Sequence, residues 1–132
     1  MTGEEITKSL ALVAAWKHEH HNGVNGMLAV LLVLRNRVNE GWFNGDWMQN
    51  IGSLLRHTWD SPTIEGESDL PDVREPNFIK LIQYIDGIFD GTQPDSLTDG
   101  SLYFRPTGSQ DTQDLWVPAA VIGSTTYYKV RK

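Results

Sequence analysis

The 132-residue chain has no cysteine, few basic residues and no long hydrophobic segment. Without cysteine it can form no disulfide framework, no zinc–thiolate site and no cysteine nucleophile. Its 11 lysines and arginines are outnumbered by 17 aspartates and glutamates and form no run longer than two neighbours. The net charge of −6 argues against nucleic acid as the main partner, because phosphate binding needs clustered Lys and Arg. It also predicts no electrostatic attraction to an anionic polymer, so binding to one would require a shaped groove.

The apolar runs are too short for a membrane segment. The longest, Met27–Leu34, has eight residues, whereas a membrane-spanning helix needs about 20. Residues 1–5 are acidic and carry no apolar signal core. These features predict a protein that is made in the cytoplasm without a signal peptide and is not inserted in a membrane. The length suits one domain, and we expect residues 1–132 to form it.

Helical periodicity runs through the first two thirds of the chain. Thr2 and Glu5 have the spacing of a capping box, and Asp46 is a second candidate for a helix cap. Turn formers over residues 21–26 separate the first two predicted helices. The four predicted helices cover residues 3–20, 27–39, 47–56 and 76–90. The second is apolar nearly all round, which predicts a central, buried helix.

The fourth predicted helix begins at Pro76, which suits a first helical turn, and ends at Gly91. Its predicted core face is Phe78, Leu81, Ile82, Ile85 and Phe89. The polar stretch from residue 57 to residue 75 has no periodicity, and we expect a long loop there.

The last third of the chain is rich in β-branched and aromatic residues between glycine and proline turns. Residues 101–104, 121–122 and 125–130 predict two or three short antiparallel strands. The predicted fold class is therefore α+β, a mainly helical domain with a small C-terminal antiparallel sheet.

Glu19, near the end of the first predicted helix, is the strongest candidate for catalysis. A carboxyl group buried beside the apolar second helix would hold a proton near neutral pH, because burial disfavours the ionised form. Such an acid can protonate the leaving oxygen of a glycosidic bond. The alternative is a solvated charge at a helix end.

Three histidines surround this glutamate. His18 and His21 are three residues apart, but the spacing is not His-Glu-x-x-His and the helix ends at Asn22, so we expect no metal site and no cofactor. A histidine beside Glu19 would more readily set the charge state of the carboxyl group.

The order and spacing of several motifs resemble the SleB-like cell wall hydrolases, the family of the spore cortex-lytic enzymes. The resemblance covers roughly residues 8 to 129. The matching residues are Glu19, Gly26-x-x-Ala29-Val30-x-x-Val33-x-x-Asn36-Arg37-Val38, Gly91-x-x-Pro94, Gly100-x-Leu102-Tyr103-Phe104-x-Pro106, Trp116, Ile122-Gly123 and Tyr127-Tyr128.

The resemblance implies a lysozyme-like domain that cuts the glycan strand of peptidoglycan, as a lytic transglycosylase or a muramidase. Glu19 would be the acid and base. The residues expected to bind the glycan are Asn36, Trp59, Tyr103, Arg105 and Trp116. The alternative is a polar helix-end residue for Asn36 and a core position for Trp59, Tyr103 and Trp116, and core packing is the commoner role for a tryptophan such as Trp116. Trp16, Trp42 and Trp47 are expected to pack in the core. A second acid, which a muramidase would need, has only weak candidates in Asp60, Asp69 and Asp72.

Two other function classes stay open. Arg105 and Ser124-Thr125 stand where the family tends to have asparagine and Asn-His, which favours a non-catalytic glycan-binding or structural phage module on the same fold. An amidase or metallopeptidase acting on the peptide stem is the other. The lack of an export signal suits a phage or prophage lysin, or a virion-borne hydrolase, that reaches the cell wall after release or delivery.

Overall fold

Helices come first along the chain and strands follow, which confirms the α+β prediction. The computed structural model describes residues 2–56 and 72–131. A 3₁₀ turn, His20–Asn22, precedes the second helix, and a turn with left-handed backbone at Phe43 and Asn44, Trp42–Gly45, follows it. The helices are α1 (Gly3–Glu19), α2 (Gly23–Asn39), α3 (Trp47–Arg56), α4 (Pro76–Ile82) and α5 (Ile85–Asp90), and the strands are β1 (Tyr103–Pro106), β2 (Trp116–Ile122) and β3 (Thr125–Val130).

The core is built around α2. Every side chain from Met27 to Leu34 is at most 6% exposed, so this helix is covered on all sides, as its uniform apolar sequence predicts. The start of α1 confirms the predicted capping box. The Glu5 backbone N–H donates to Thr2 Oγ1 at 3.1 Å, and the Thr2 backbone N–H donates to Glu5 Oε2 at 3.3 Å.

The turn between α1 and α2 is shorter than predicted. Helix α2 begins at Gly23 rather than at Met27, and Gly23 has a φ of 74°, a backbone conformation that residues with a side chain rarely adopt. Gly26 lies inside the helix, where a Cβ atom would come within 2.7 Å of Asn22 Cβ. The glycine therefore serves a close approach between the helix and the turn, rather than forming part of the turn.

The predicted fourth helix is two helices, α4 and α5. The chain tightens at their junction, where the backbone N–H groups of Gln83 and Tyr84 donate to carbonyls three residues back. The buried residues Phe78, Leu81, Ile85 and Ile88 keep helical spacing across this junction. Ile82 is 40% exposed, so the core face includes the fully buried Ile88 in place of the predicted Ile82. A single continuous helix was the wrong prediction for this segment.

The three strands form one antiparallel sheet in the order β1-β3-β2. Strand β3 is central, with Phe104 opposite Tyr127 and Val121 opposite Thr126. Strand β2 begins at Trp116, well before the predicted residue 121. It accommodates Pro118 because it pairs on one side only, and a register shift follows the proline.

Within the two described ranges, no helix combines the length and the hydrophobicity that crossing a bilayer requires.

Candidate active site

Glu19 is the last residue of α1, and its side chain is fully buried against the sheet. The Tyr127 hydroxyl donates to Glu19 Oε1 at 2.6 Å, and the Thr125 hydroxyl donates to Oε2 at 3.0 Å. Alternate residues of a strand point to the same face, so β3 presents both donors to the helix end together. The prediction of a buried carboxyl group at this position is confirmed.

Asn22 joins the end of α1 to the β2–β3 turn. Its Nδ2 donates to Glu19 Oε2 at 3.1 Å and to the Thr125 hydroxyl at 3.1 Å, while its Oδ1 accepts from the Ser124 backbone N–H at 3.1 Å. Gly123 leaves room for this contact, because a Cβ atom there would overlap the Asn22 side-chain oxygen. The asparagine therefore fixes the distance between the carboxyl group and the hairpin.

His21 is the fourth polar partner. Its Nε2 lies 3.5 Å from Glu19 Oε2, and its side chain is 41% exposed whereas that of Glu19 is 0% exposed. The two strand-borne partners, Thr125 and Tyr127, are buried. His21 therefore lies between the buried carboxyl group and the solvent.

The environment of Glu19 favours its protonated form. Burial raises the pKa of this carboxyl group, and the hydrogen bonds from Tyr127, Thr125 and Asn22 and the nearby His21 offset only part of that increase. The carboxyl group therefore keeps its proton to a higher pH than an ordinary glutamate. This is the property that a general acid needs near neutral pH.

Tyr103, Arg105 and Trp116 come together, but away from Glu19. The Tyr103 ring stacks on Trp116 with centroids 4.2 Å apart, and the Arg105 guanidinium lies 5.1 Å from the Trp116 ring centre. Tyr103 is paired with Tyr128, which points to the face of the sheet opposite Tyr127. Trp116 is only 9% exposed, so most of its surface is already covered by protein.

The structure does not bring Asn36 to Glu19 either. Its Nδ2 donates to Asp95 Oδ2 and to the Ser101 carbonyl, each at 3.0 Å. Ten residues of helix, roughly 15 Å, separate Asn36 from Gly26, which lies beside Glu19. Asn36 instead holds the loop that precedes β1.

Asp95 is the centre of that loop. Burial raises the pKa of its carboxyl group, but hydrogen bonds from the Thr98 hydroxyl, Asn36 and the backbone N–H groups of Thr98 and Gly100 outweigh burial and leave the pKa below its usual value. An ionised Asp95 therefore ties the loop to the end of α2.

The remaining predicted residues have separate outcomes. Trp59, Asp60 and Asp69 lie outside the described residues. Asp72 is exposed and pairs with Arg74 at 3.3 Å.

His18 and His20 have structural partners. The fully buried His18 donates through Nε2 to the Leu54 carbonyl at 2.7 Å, and Lys17 donates to the Leu55 carbonyl at 2.5 Å. Together they satisfy carbonyl groups near the C-terminal end of α3. His20 stacks on Trp16 at 4.8 Å. Among residues 2–56 and 72–131, no group of three or more His, Asp or Glu side chains is arranged to hold a metal ion.

The roles of Asn22, Thr125 and Tyr127 around Glu19 were not predicted from the sequence. The available signal was the alternation in β3, which puts Thr125 and Tyr127 on one buried face directly after the Gly123-Ser124 turn. Thr125 is one of the positions that depart from the family pattern, yet its hydroxyl supplies a donor to the carboxyl group.

Comparison of this chain with protein-family models, curated proteins and solved structures finds no match.

Proposed function

We propose that this protein cleaves the glycan strand of peptidoglycan, with Glu19 as the general acid and then the general base. The observation that supports it is the fully buried Glu19 carboxyl group, whose pKa is raised and which polar side chains from β3 and the α1–α2 turn hold in place. The motif resemblance supplies the substrate class. On this proposal the protein acts at the bacterial cell wall.

The proposed reaction needs one carboxyl group. Glu19 protonates the glycosidic oxygen as the bond between that oxygen and C1 of N-acetylmuramic acid breaks. The C6 hydroxyl of the same sugar attacks C1 and transfers its proton to the Glu19 carboxylate, which leaves a 1,6-anhydro end and regenerates the acid. The described partners of Glu19 are three neutral side chains and a histidine, whereas hydrolysis normally uses a second carboxylate. We adopt the transglycosylase path because it needs only the carboxyl group on which the proposal rests.

Access to the carboxyl group sets a requirement on this proposal. Tyr127 and Thr125 cover Glu19 from the sheet side, and the partially exposed His21 covers Oε2 from the solvent side. A sugar oxygen must approach within hydrogen-bond distance of the acid. His21 is the most exposed of the four partners of Glu19, so we expect its movement to open this approach.

The test is digestion of purified peptidoglycan by the wild type, Glu19→Gln and the control Glu4→Gln, with mass spectrometry of the soluble fragments. Glu4 is an exposed glutamate of the same helix. We expect Glu19→Gln to lose about 10²–10⁴-fold in rate, the range for a general acid, and Glu4→Gln to keep the wild-type rate.

The products decide between the two reaction paths. Fragments lighter by one water at the muramic end support the transglycosylase path, and reducing ends indicate hydrolysis. Equal activity of Glu19→Gln and wild type would refute the role of Glu19.

A non-catalytic glycan-binding module is the second candidate. The observation in its favour is that Glu19 is 0% exposed with both carboxyl oxygens hydrogen-bonded, which is also how a purely structural carboxyl group is held. Binding of the wild type to purified cell walls without release of any soluble fragment would support this candidate over the first.

A further inference from the structure

A cavity lies at the end of the sheet far from Glu19. It has a volume of about 740 Å³, within the usual range of ligand sites. Six of the residues that line it are Trp42, Asp99, Leu102, Tyr103, Val117 and Lys129. Glu19 contacts the beginning of β3 at Thr125, and Lys129 is four residues further along the strand, or about 13 Å. The cavity is therefore separate from the candidate active site.

The segments that border this cavity contain all the left-handed backbone found at non-glycine residues of the described chain. These residues are Phe43 (φ 53°) and Asn44 (φ 58°), directly after Trp42, and Asp99 (φ 51°), which lines the cavity itself. Such conformations cost free energy and persist where the surrounding structure enforces them, often at ligand sites. Asparagine and aspartate adopt this backbone more readily than other residues, so Phe43, directly after Trp42, is the unusual position.

The aromatic wall of the cavity is rigidly held. The Arg37 guanidinium lies 4.6 Å from the Trp42 ring centre, and its Nε donates to the Leu102 carbonyl at 2.8 Å. The Trp42 ring also packs on Tyr103, with centroids 5.3 Å apart. A ring fixed in this way loses little conformational entropy when a ligand stacks on it.

The charges around the cavity balance. Its lining includes two acidic residues, Glu40 and Asp99, and two basic residues, Lys129 and Arg131, so their formal sum is zero. Lys129 and Asp99 already form an ion pair at 2.8 Å. This arrangement gives no preference for a phosphate or a cationic ligand, but it offers both donors and acceptors to hydroxyl groups beside an apolar, aromatic wall.

We infer that this cavity, which we call the Trp42 site, binds a carbohydrate ring. The Trp42 indole would stack on the apolar C–H face of a pyranose, and Asp99 and Lys129 would hydrogen-bond to its hydroxyl or acetamido groups. The proposal rests on the proposed function only for the choice of a β-1,4-linked N-acetylated glycan as the ligand. The Trp42 site would therefore bind a sugar ring other than the ring that Glu19 would act on.

The experiment uses Glu19→Gln protein, so that no cleavage is possible on the proposed mechanism, and chitotetraose as the probe. The five tryptophan indole N–H signals are followed by nuclear magnetic resonance during titration. We expect saturable shifts at the Trp42 indole and a loss of affinity of about tenfold or more in Trp42→Ala. Trp47→Ala is the matched control, since Trp47 is also half-buried and stacks on Phe89 instead.

A second pair of variants tests the site independently, in case Trp42→Ala does not fold. Asp99→Asn and Lys129→Gln change exposed groups, and each should weaken chitotetraose binding severalfold while leaving the Trp42 signal in place. Absence of saturable shifts at Trp42, or equal affinity of Trp42→Ala and Trp47→Ala, would overturn the inference. If the wild type binds chitotetraose at Trp42 and cleaves no peptidoglycan, the proposed catalytic function fails and the Trp42 site stands.

Discussion

At Glu19, two opposing effects act on a single carboxyl group. Burial favours the protonated form, while Tyr127, Thr125, Asn22 and His21 favour the ionised form, and burial dominates. Because the folded-state pKa lies above that of an ordinary glutamate, the folded chain binds this proton more tightly than the unfolded chain does. The resulting stability is fully present below the unfolded pKa and is lost as the pH rises through the folded pKa.

The raised pKa of Glu19 in the folded protein predicts how Glu19→Gln changes the free energy of unfolding. The glutamine has no proton to lose, so the stability of the variant relative to wild type should increase as the pH rises from about 4 to 7. Urea denaturation of both proteins at several pH values measures the difference. A difference that stays constant, or that changes in the opposite direction, would mean that the pKa of Glu19 is not raised in the folded protein.

At the scale of elements, the contact between the α1–α2 turn and the β2–β3 hairpin controls the geometry of the site. Asn22 spans the two, and Gly123, at φ 58°, leaves the space for its side chain. Both the backbone angle and the space would be lost with any larger residue. The position of the hairpin therefore depends on a glycine that touches no part of the carboxyl group.

Gly123→Ala and Gly108→Ala separate these two effects. Gly108 has φ 88°, and a methyl group added there would meet no atom within 4 Å, so its alanine variant should lose only the backbone term of about 1 kcal/mol. Gly123→Ala should lose about 2 kcal/mol or more, because the methyl group also displaces Asn22. Thermal or urea unfolding measures both, and equal losses would show that the contact with Asn22 adds nothing.

The sequence predicted the features that depend on neighbouring residues. The capping box at Thr2, the buried α2 and the Asp46 cap, which accepts from the Gln49 backbone N–H at 2.8 Å, follow from local patterns. The break between α4 and α5 did not, because the helical period continues across it. Helix α2 also starts earlier than predicted, since Gly26 reads as a turn former until its contact with Asn22 is known.

The candidate site was only partly predictable, because its residues lie far apart in the sequence. Glu19 could be chosen from its place beside an apolar helix, but its partners Thr125 and Tyr127 are 106 and 108 residues away. Similarly, Asn36 faces Asp95 at a separation of 59 residues. Local sequence patterns do not predict which strand residue contacts which helix end. These pairings could be identified only from the three-dimensional structure.

For the whole molecule, the net charge of −6 has a consequence for binding to cell walls. An acidic protein gains nothing from long-range attraction to an anionic polymer, and added salt screens the repulsion between them. On the proposed function, binding must come from short-range contacts in the Glu19 region and the Trp42 site.

We therefore expect the binding of Glu19→Gln protein to purified cell walls to hold or strengthen between about 50 and 300 mM NaCl. A pull-down with quantified bound fraction measures this, with a strongly basic muramidase as the control that salt should release. Marked weakening with salt would point to a local cationic surface as the main binding contact.

The distance in sequence between Glu19 and β3 also bears on how the protein is made. A ribosome adds roughly 5–20 residues per second, so the glutamate is synthesised roughly 5–20 s before Thr125 and Tyr127. Until the last strand docks, the carboxyl group lacks the partners and the cover that the strand provides. The environment that raises the pKa of Glu19 is therefore complete only when the final hairpin closes over it.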